Sequence, residues 1–256
     1  MRVHVLASGS GGNAAVIEAD GTRILIDCGL SYRQLGQRMG AVGISAADVD
    51  AAFITHEHDD HVRGLAVFAR RHPTVPIYAT AGTGIRLAGI AGLGEVLVSG
   101  VAVHIGVLAV IPVSTAHDAR EPVAFVCEHG ACRVGLLTDT GIITSLLAER
   151  IAGCHALLIE FNHDADMLRL GPYPWTLKQR IAGRTGHLSN HQATLGVEAA
   201  AHDRLEVVVA MHLSRENNTP AMVARELRQV LAGSAVRVEV ADQFQPLSID
   251  VRGGAV

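Results

Sequence analysis

Lysine is nearly absent from this chain of 256 residues. Lys178 is the one lysine among 21 basic residues, and the rest are arginine. Against 25 acidic residues the formal net charge is −4 and the pI about 6.4, which excludes a domain that recruits nucleic acid through a broadly basic face. Aromatic residues are scarce, with 5 Phe, 3 Tyr and 1 Trp. The four cysteines (Cys28, Cys127, Cys132, Cys154) form no CxxC pair. That removes a thiolate metal knuckle and a disulfide framework, and leaves buried thiols, with only Cys28 set apart by its neighbour Asp27. No apolar run reaches the roughly 18 residues of a membrane span, so no membrane contact is expected. Met1–Ala7 has no signal-peptide core; it reads as a first strand, and the expected location is the cytoplasm. Disorder is excluded by 49% hydrophobic residues and a mean hydropathy of +0.29. What the chain has in excess is histidine, with 14 residues. Imidazole is the commonest metal ligand, so a metal site is the first expectation.

Short apolar runs alternate with turn residues. Val3–Ala7, Ala14–Ala19 and Arg23–Asp27 read as strands, followed by a helix over Ser31–Met39 with Ser31 as its cap. Ala51–Thr55 reads as a buried strand, Val62–Arg71 as a helix and Pro76–Ala79 as a strand. A strand-rich stretch runs from Glu95 to Leu137. A helix over Ile143–Ile151, a strand over Ala156–Glu160, a helix over Ser189–His202, a strand over Leu205–Ala210, a helix over Pro220–Leu231 and a final strand over Val236–Val240 complete the chain. No linker or low-complexity tract divides it. A single α/β domain over 1–256, with two stacked sheets and helices outside, fits this order.

The strongest local signal is His56-Glu57-His58-Asp59-Asp60-His61, which begins where a buried strand ends. Three imidazoles and a carboxylate within six residues cannot share one face of a regular element, whereas a loop can aim them at one point. At this composition the HxHxDH pattern arises by chance roughly 0.002 times per chain. Imidazole with carboxylate suits Zn²⁺, Mn²⁺ or Fe. His117, Asp139 and His212 each follow a strand as well. Singly they read as turn or surface residues; together they mark one edge of a sheet protein.

In this order, Asp27, His56, His58, Asp60, His61, His117, Asp139 and His212 resemble the motifs of the metallo-β-lactamase superfamily across essentially the whole chain. The resemblance implies a four-layered αββα sandwich and two divalent metal ions, Zn or Mn. His56, His58 and His117 would hold one ion, Asp60, His61 and His212 the other, and Asp139 would bridge them. Asp27 would orient ligands from behind. Many true β-lactamases carry Cys where Asp139 stands, which turns the reading from antibiotic hydrolysis toward phosphodiesters or thioesters.

Gly186-His187-Leu188-Ser189-Asn190 is similar to the extra histidine motif of RNase Z and related phosphodiesterases, where the histidine faces the scissile phosphate. His187 would then donate a proton there, oriented by Glu160. Ser8–Asn13, Glu160–Asp164, Met167–Arg180 and His212–Asn218 resemble the YycJ/WalJ-like subfamily, which implies 5′→3′ exonuclease action on double-stranded DNA. In that reading Asp60, Asp139 and His187 are catalytic, and Ser10, Asn13, His163, Arg169, Lys178 and Asn190 meet the substrate. The Gly-rich loop Ser8–Asn13 lacks GK[ST], so nucleoside triphosphate binding is not expected. Arg169, Lys178, Arg180 and Arg184 beside Tyr173 and Trp175 suit a nucleic-acid backbone and a stacked base. Only 47 residues separate Asp139 from His187, too few for the domain inserted in larger nucleases of this fold. The chain also lacks the flexible arm with which RNase Z grips tRNA. A small-molecule phosphodiesterase and a non-catalytic metal-binding regulator stand as alternatives.

Overall fold

The computed structural model describes residues 1–90 and 92–253. The remaining positions of the expected domain range 1–256 lie outside the described residues. Six strands of the first sheet come in chain order: β1 (Arg2–Ala7), β2 (Ala14–Ala19), β3 (Thr22–Ile26), β4 (Ala51–Phe53), β5 (Ile77–Thr80) and β6 (Leu93–Leu97). The second sheet holds β7 (Val103–Ile105), β8 (Leu108–Ser114), β9 (Val123–His129), β10 (Cys132–Leu137), β11 (Ala156–Glu160), β12 (Val207–Met211) and β13 (Arg237–Val240). A last strand, β14 (Leu247–Asp250), returns to the first sheet and pairs antiparallel with β1. Sequence reading ended the chain's strands at Val240. Its alternation did not reveal β14, because β14 is an edge strand with only Ile249 buried.

Side chains along a strand alternate between faces, and here both faces are buried. In β12, Val207, Val209 and Met211 enter the core between the sheets, while Val208 and Ala210 face the opposite way. β11 repeats this, with Ala156 and Leu158 inward and Leu157 and Ile159 outward. The outer face of the first sheet is covered by helices α1 (Tyr32–Ala41) and α3 (Leu65–Arg71) through Leu35, Met39 and Phe68. Over the second sheet lie α5 (Ser145–Ile151), α8 (Asn190–Ala200) and α9 (Pro220–Val230), through Leu147, Val197 and Leu227. Three apolar clusters thus separate four layers in the order α, β, β, α.

Local signals hold where a cap decides them. Ser31 and Ser189 each form a capping box, with Gln34 and Gln192 respectively. The single helix expected over Val62–Arg71 is two pieces, α2 (Asp59–Val62) and α3, interrupted at Gly64. The Gly64 amide donates to the Cys28 carbonyl at 2.8 Å instead of within the helix, and a Cβ there would run into the Leu30 carbonyl, so the break follows from this close approach and requires glycine. Between β5 and β6 lies α4 (Ala81–Arg86), and two further short helices, α6 (Ala165–Leu170) and α7 (Trp175–Ile181), fill the basic and aromatic stretch. No helix of the described residues is long and apolar enough to cross a membrane. All four cysteines are buried and unpaired, and burial pushes the Cys28 thiol up to about 12.

Candidate metal centre

Six of the eight motif residues sit just beyond the C-terminal ends of β3, β4, β8, β10 and β12, on one edge shared by both sheets. Asp27 follows β3, His56 and His58 follow β4, and His117 follows β8. Asp139 follows β10 and His212 follows β12. Asp60 and His61 lie on α2, the turn of helix that continues the β4 loop. Glu160 is the last residue of β11. Parallel pairing of β3 with β4, and of β10, β11 and β12, aligns these ends.

Four groups of potential ligands form. Three of them are His56 with His58 and His117; Asp60 with His61 and His212; and His56 with His61 and Asp139. The fourth joins Asp139, Glu160, His187 and His212. In the first, His58 Nδ1 lies 3.1 Å from His56 Nε2 and 3.3 Å from His117 Nε2. A tetrahedral ion with Zn–N of about 2.0–2.1 Å holds its nitrogens about 3.3 Å apart, so the spacing fits. Around the second group, His212 Nε2 and Asp139 Oδ2 are buried without a hydrogen-bond partner. Unpaired buried polar atoms are costly, and two of them converging with His61 fit a cation. The donor set fits two divalent ions.

Four of the five imidazoles in the three histidine sets are anchored through the nitrogen that faces away from the cluster. His61 Nδ1 donates to Asp27 Oδ2 at 2.7 Å, and His117 Nδ1 to the Gly186 carbonyl at 3.0 Å. His212 Nδ1 donates to Glu160 Oε1 at 3.0 Å. His56 Nδ1 donates to Thr55 Oγ1 at 3.0 Å, while that hydroxyl donates to Asp27. Such anchors fix the ring orientation and aim Nε2 at the cluster. Thr55 and Gly186 carry no ligand chemistry of their own, so the sequence did not single out their role as anchors.

The backbone bends to make this possible. Asp27, Asp139 and His212 have φ of 59°, 53° and 55°, and Asp20 is the only other described non-glycine residue with positive φ. Three strand ends therefore turn through a conformation that L-residues avoid, and strain of this kind concentrates at functional sites. A Cβ on Gly29 would run into the Asp60 carbonyl, so that glycine is required where its loop meets α2.

Electrostatics divide the cluster in two. Burial pushes His56 well below its ordinary value and lowers His117 as well, so both are neutral. Burial also opposes charge on His61, yet Asp27 and Asp139 on either side outweigh it and lift its pKa to about 10. The same contest raises His212, through Asp139, Asp60 and Glu160. His187 rises to about 9, because Glu160 and Asp139 overcome its desolvation. Glu160 resists desolvation through His187 and His212 and falls to about 2.

His187 is 21% exposed in its side chain and faces the cluster, with ring centroids 5.1 Å from His117 and 5.3 Å from His212. Its Nδ1 lies 2.6 Å from Glu160 Oε1, which directs Nε2 toward a ligand. Glu160 Oε2 accepts from the Thr140 and Leu188 amides, so the carboxylate is fully enclosed.

The residues expected to meet substrate are placed differently from one another. Ser10 is exposed in the loop after β1. Asn13 is buried; its Oδ1 accepts from the Gly9 amide, and its Nδ2 lies 3.1 Å from His61 Nε2 and 3.3 Å from Asp60 Oδ2. Its contacts make it a positioning residue for α2. Asn190 is buried in a reciprocal amide pair with Asn218. His163 is 2% exposed and bridges Ser189 through its backbone. Arg169 pairs with Asp166, and Lys178 Nζ donates to the Arg169 carbonyl. Beside the site, Arg180 holds Asp118 at 2.6 Å. One further cation that sequence reading passed over, Arg215, stacks on the exposed Phe244 ring beside the Gly-rich loop.

The model of the beta-lactamase superfamily domain family matches residues 22–213, three quarters of the chain and all the residues of the cluster. The chain belongs to this superfamily. As a superfamily member of this donor set it is a metal-dependent hydrolase. It is 32% identical to the exodeoxyribonuclease YycJ of Bacillus anthracis over 262 residues, 96% of this chain and 97% of that protein. It is also 32% identical to the exodeoxyribonuclease WalJ of Streptococcus pneumoniae, over 93% of this chain and 92% of that one. Among solved structures, the metallo-β-lactamase-fold protein YhfI from Bacillus subtilis superposes with a TM-score of 0.74 at 17% identity, covering 97% of this chain and 99% of that one. The four-layered fold is that of the superfamily.

Proposed function

We propose that this superfamily member hydrolyses phosphodiester bonds in DNA, removing nucleotides from the 5′ end of a duplex, with 1–256 acting as one catalytic unit. The observation that carries this reading is the His187–Glu160 dyad beside the ligand cluster. Relatedness to two exodeoxyribonucleases along nearly the full chain supports it.

Two divalent ions, Zn or Mn, would be held by His56, His58 and His117 and by Asp60, His61 and His212, with Asp139 between them. Bound there, such ions supply Lewis acidity toward a phosphoryl oxygen and a water of lowered pKa. The chain does the rest. Asp60 and Asp139 place negative charge where ions must be held, and Asp139 faces both histidine sets. Asp27, Thr55 and Glu160 keep the imidazoles oriented. His187, protonated near neutrality, donates from Nε2 to a phosphate oxygen or to the departing alkoxide, and Glu160 stabilises its charge.

A second reading, a small-molecule phosphodiesterase, is favoured by the internal pairing of nearby cations. Arg63 pairs with Asp59, Arg169 with Asp166 and Arg180 with Asp118, which reduces the charge these three cations offer to a polyanion. The deciding experiment offers end-labelled duplex bearing a 5′-phosphate or 5′-hydroxyl beside a cyclic and an aryl phosphodiester, with Mn²⁺ or Zn²⁺. Release of 5′-terminal nucleotides, lost in Asp139→Asn, is expected. Asparagine is chosen because it tolerates the left-handed backbone at 139 better than alanine. Turnover of the small esters alone establishes the second reading, and metal binding without any turnover establishes a regulator.

A further inference from the structure

A cavity of about 340 Å³ opens between α6 and α7, lined by His163, Leu168, Trp175, Lys178, Gln179 and Ala182 among others. Its size lies at the small end of ligand pockets, which run from about 300 to 1,000 Å³. It abuts the arm that carries His187. The His187 amide donates to the Ile181 carbonyl at the end of α7, next to Ala182. On the other wall, the Asn190 amide donates to the His163 carbonyl, and the Asn162 amide to Leu188. Both walls of the cavity are therefore hydrogen-bonded to the segment 187–190.

Its chemistry is unusual for a surface cavity. Trp175, the only tryptophan of the chain, is 68% exposed although no other side chain here is larger. Exposed indoles of this kind mark binding surfaces. The ring of His163 makes no hydrogen bond to the described residues, and its Nδ1 is fully buried without a partner. Burial also drives His163 down to about 4, so near neutrality it is uncharged and offers one donor and one acceptor.

The cavity is poorly suited to an anion. Lys178 Nζ is turned to the Arg169 carbonyl, and the Arg169 guanidinium to Asp166. What remains is a mostly apolar slot with an exposed indole and the neutral His163 ring in its lining. A flat ligand with apolar faces and a polar edge fits that description.

We propose that this cavity is a nucleobase subsite. It takes the base of the nucleotide adjoining the phosphate under attack, with the Trp175 indole along one face and the His163 ring in the wall that the base edge meets. The assignment rests on the phosphodiester reading above. A base lodged there is unpaired, so a frayed duplex end enters more readily than an internal pair, because unstacking costs least where pairing is already weak.

Trp175 reports on the subsite without catalysis. The Zn²⁺-reconstituted protein is titrated with deoxyadenosine 5′-monophosphate and, separately, with 2-deoxyribose 5-phosphate, which lacks the base. Saturable quenching of Trp175 by the nucleotide and none by the sugar phosphate is expected. Filling the mouth with Ala182→Phe, at an exposed position, weakens nucleotide binding by about 5- to 150-fold, the range that base–aromatic stacking supports. His163→Leu weakens it as well. Equal quenching by both ligands, or none by the nucleotide at millimolar concentration, overturns the subsite. The two readings fail separately. Duplex cleavage without nucleotide quenching removes the subsite alone, and base-dependent quenching without cleavage of any phosphodiester upholds it while removing the nuclease reading.

Discussion

Glu160 accepts a hydrogen bond from His187 at 2.6 Å and, through the same oxygen, lies 3.0 Å from His212 Nδ1. One enclosed carboxylate thus orients both a candidate metal ligand and the candidate proton donor. Its other oxygen is fixed by two backbone amides, so it cannot turn away. The two histidines share one support.

That sharing predicts the behaviour of Glu160→Gln. His187 is raised to about 9, so its protonated, donating form persists through neutrality and is lost as pH rises through about 9. Without the carboxylate the His187 pKa falls, and the alkaline loss of kcat moves to lower pH. If the His187 pKa returns to the ordinary histidine value of about 6.5, its protonated fraction at pH 8, and the rate with it, drops about 30-fold. A pH profile of kcat, with metal content measured alongside, checks this. An unmoved alkaline limb at normal metal content would show that Glu160 has only a structural part.

The Thr55 hydroxyl accepts from His56 and donates to Asp27, linking the two ligand sets. Thr55→Val keeps the shape and removes both bonds. Metal affinity is expected to fall about 10- to 100-fold, as for other partners of ligating histidines. Competition with a chelator measures it, and Thr55→Ser should restore most of the loss. Wild-type affinity in the valine variant would sink the role given to Thr55.

Metal loading should depend on pH unequally at the two positions. His61, raised to about 10, and His212, raised likewise, are protonated in the metal-free protein at neutrality. An ion held by them must displace protons, so its affinity rises with pH toward 10 and falls on acidification. His56 and His117 are already neutral, and the position they share with His58 keeps its affinity to lower pH. Titration calorimetry in buffers of different ionisation enthalpy should show about one to two protons released for the weaker ion. Identical proton release for both ions would contradict the division.

Much of this protein was legible before folding. The strand and helix order followed from alternation and from caps such as Ser31 and Ser189, which act over a few residues. The HxHxDH loop announced itself because that density of imidazole and carboxylate has no use in a regular element. Less was legible where contacts between distant segments decide the outcome. The helix break at Gly64 depends on the Cys28 carbonyl that takes its amide, and β14 depends on β1 for its pairing. Asn13 and Asn190 carry polar groups that suit a ligand. The fold spends the Asn13 amide on its own loop and α2, and that of Asn190 on Asn218.

The excess of histidine and the near absence of lysine were properties of the sequence alone. They were enough to point to a metal site and to exclude a broadly basic surface. The tertiary structure decided which nitrogen of the anchored imidazoles faces the cluster. That choice is made by partners far away in the chain, Asp27 for His61, Gly186 for His117 and Glu160 for His212. A ring nitrogen has no fixed role in the sequence. It acquires one only when the opposite nitrogen is held, and the close-packed interior that holds it forms only when both sheets are stacked.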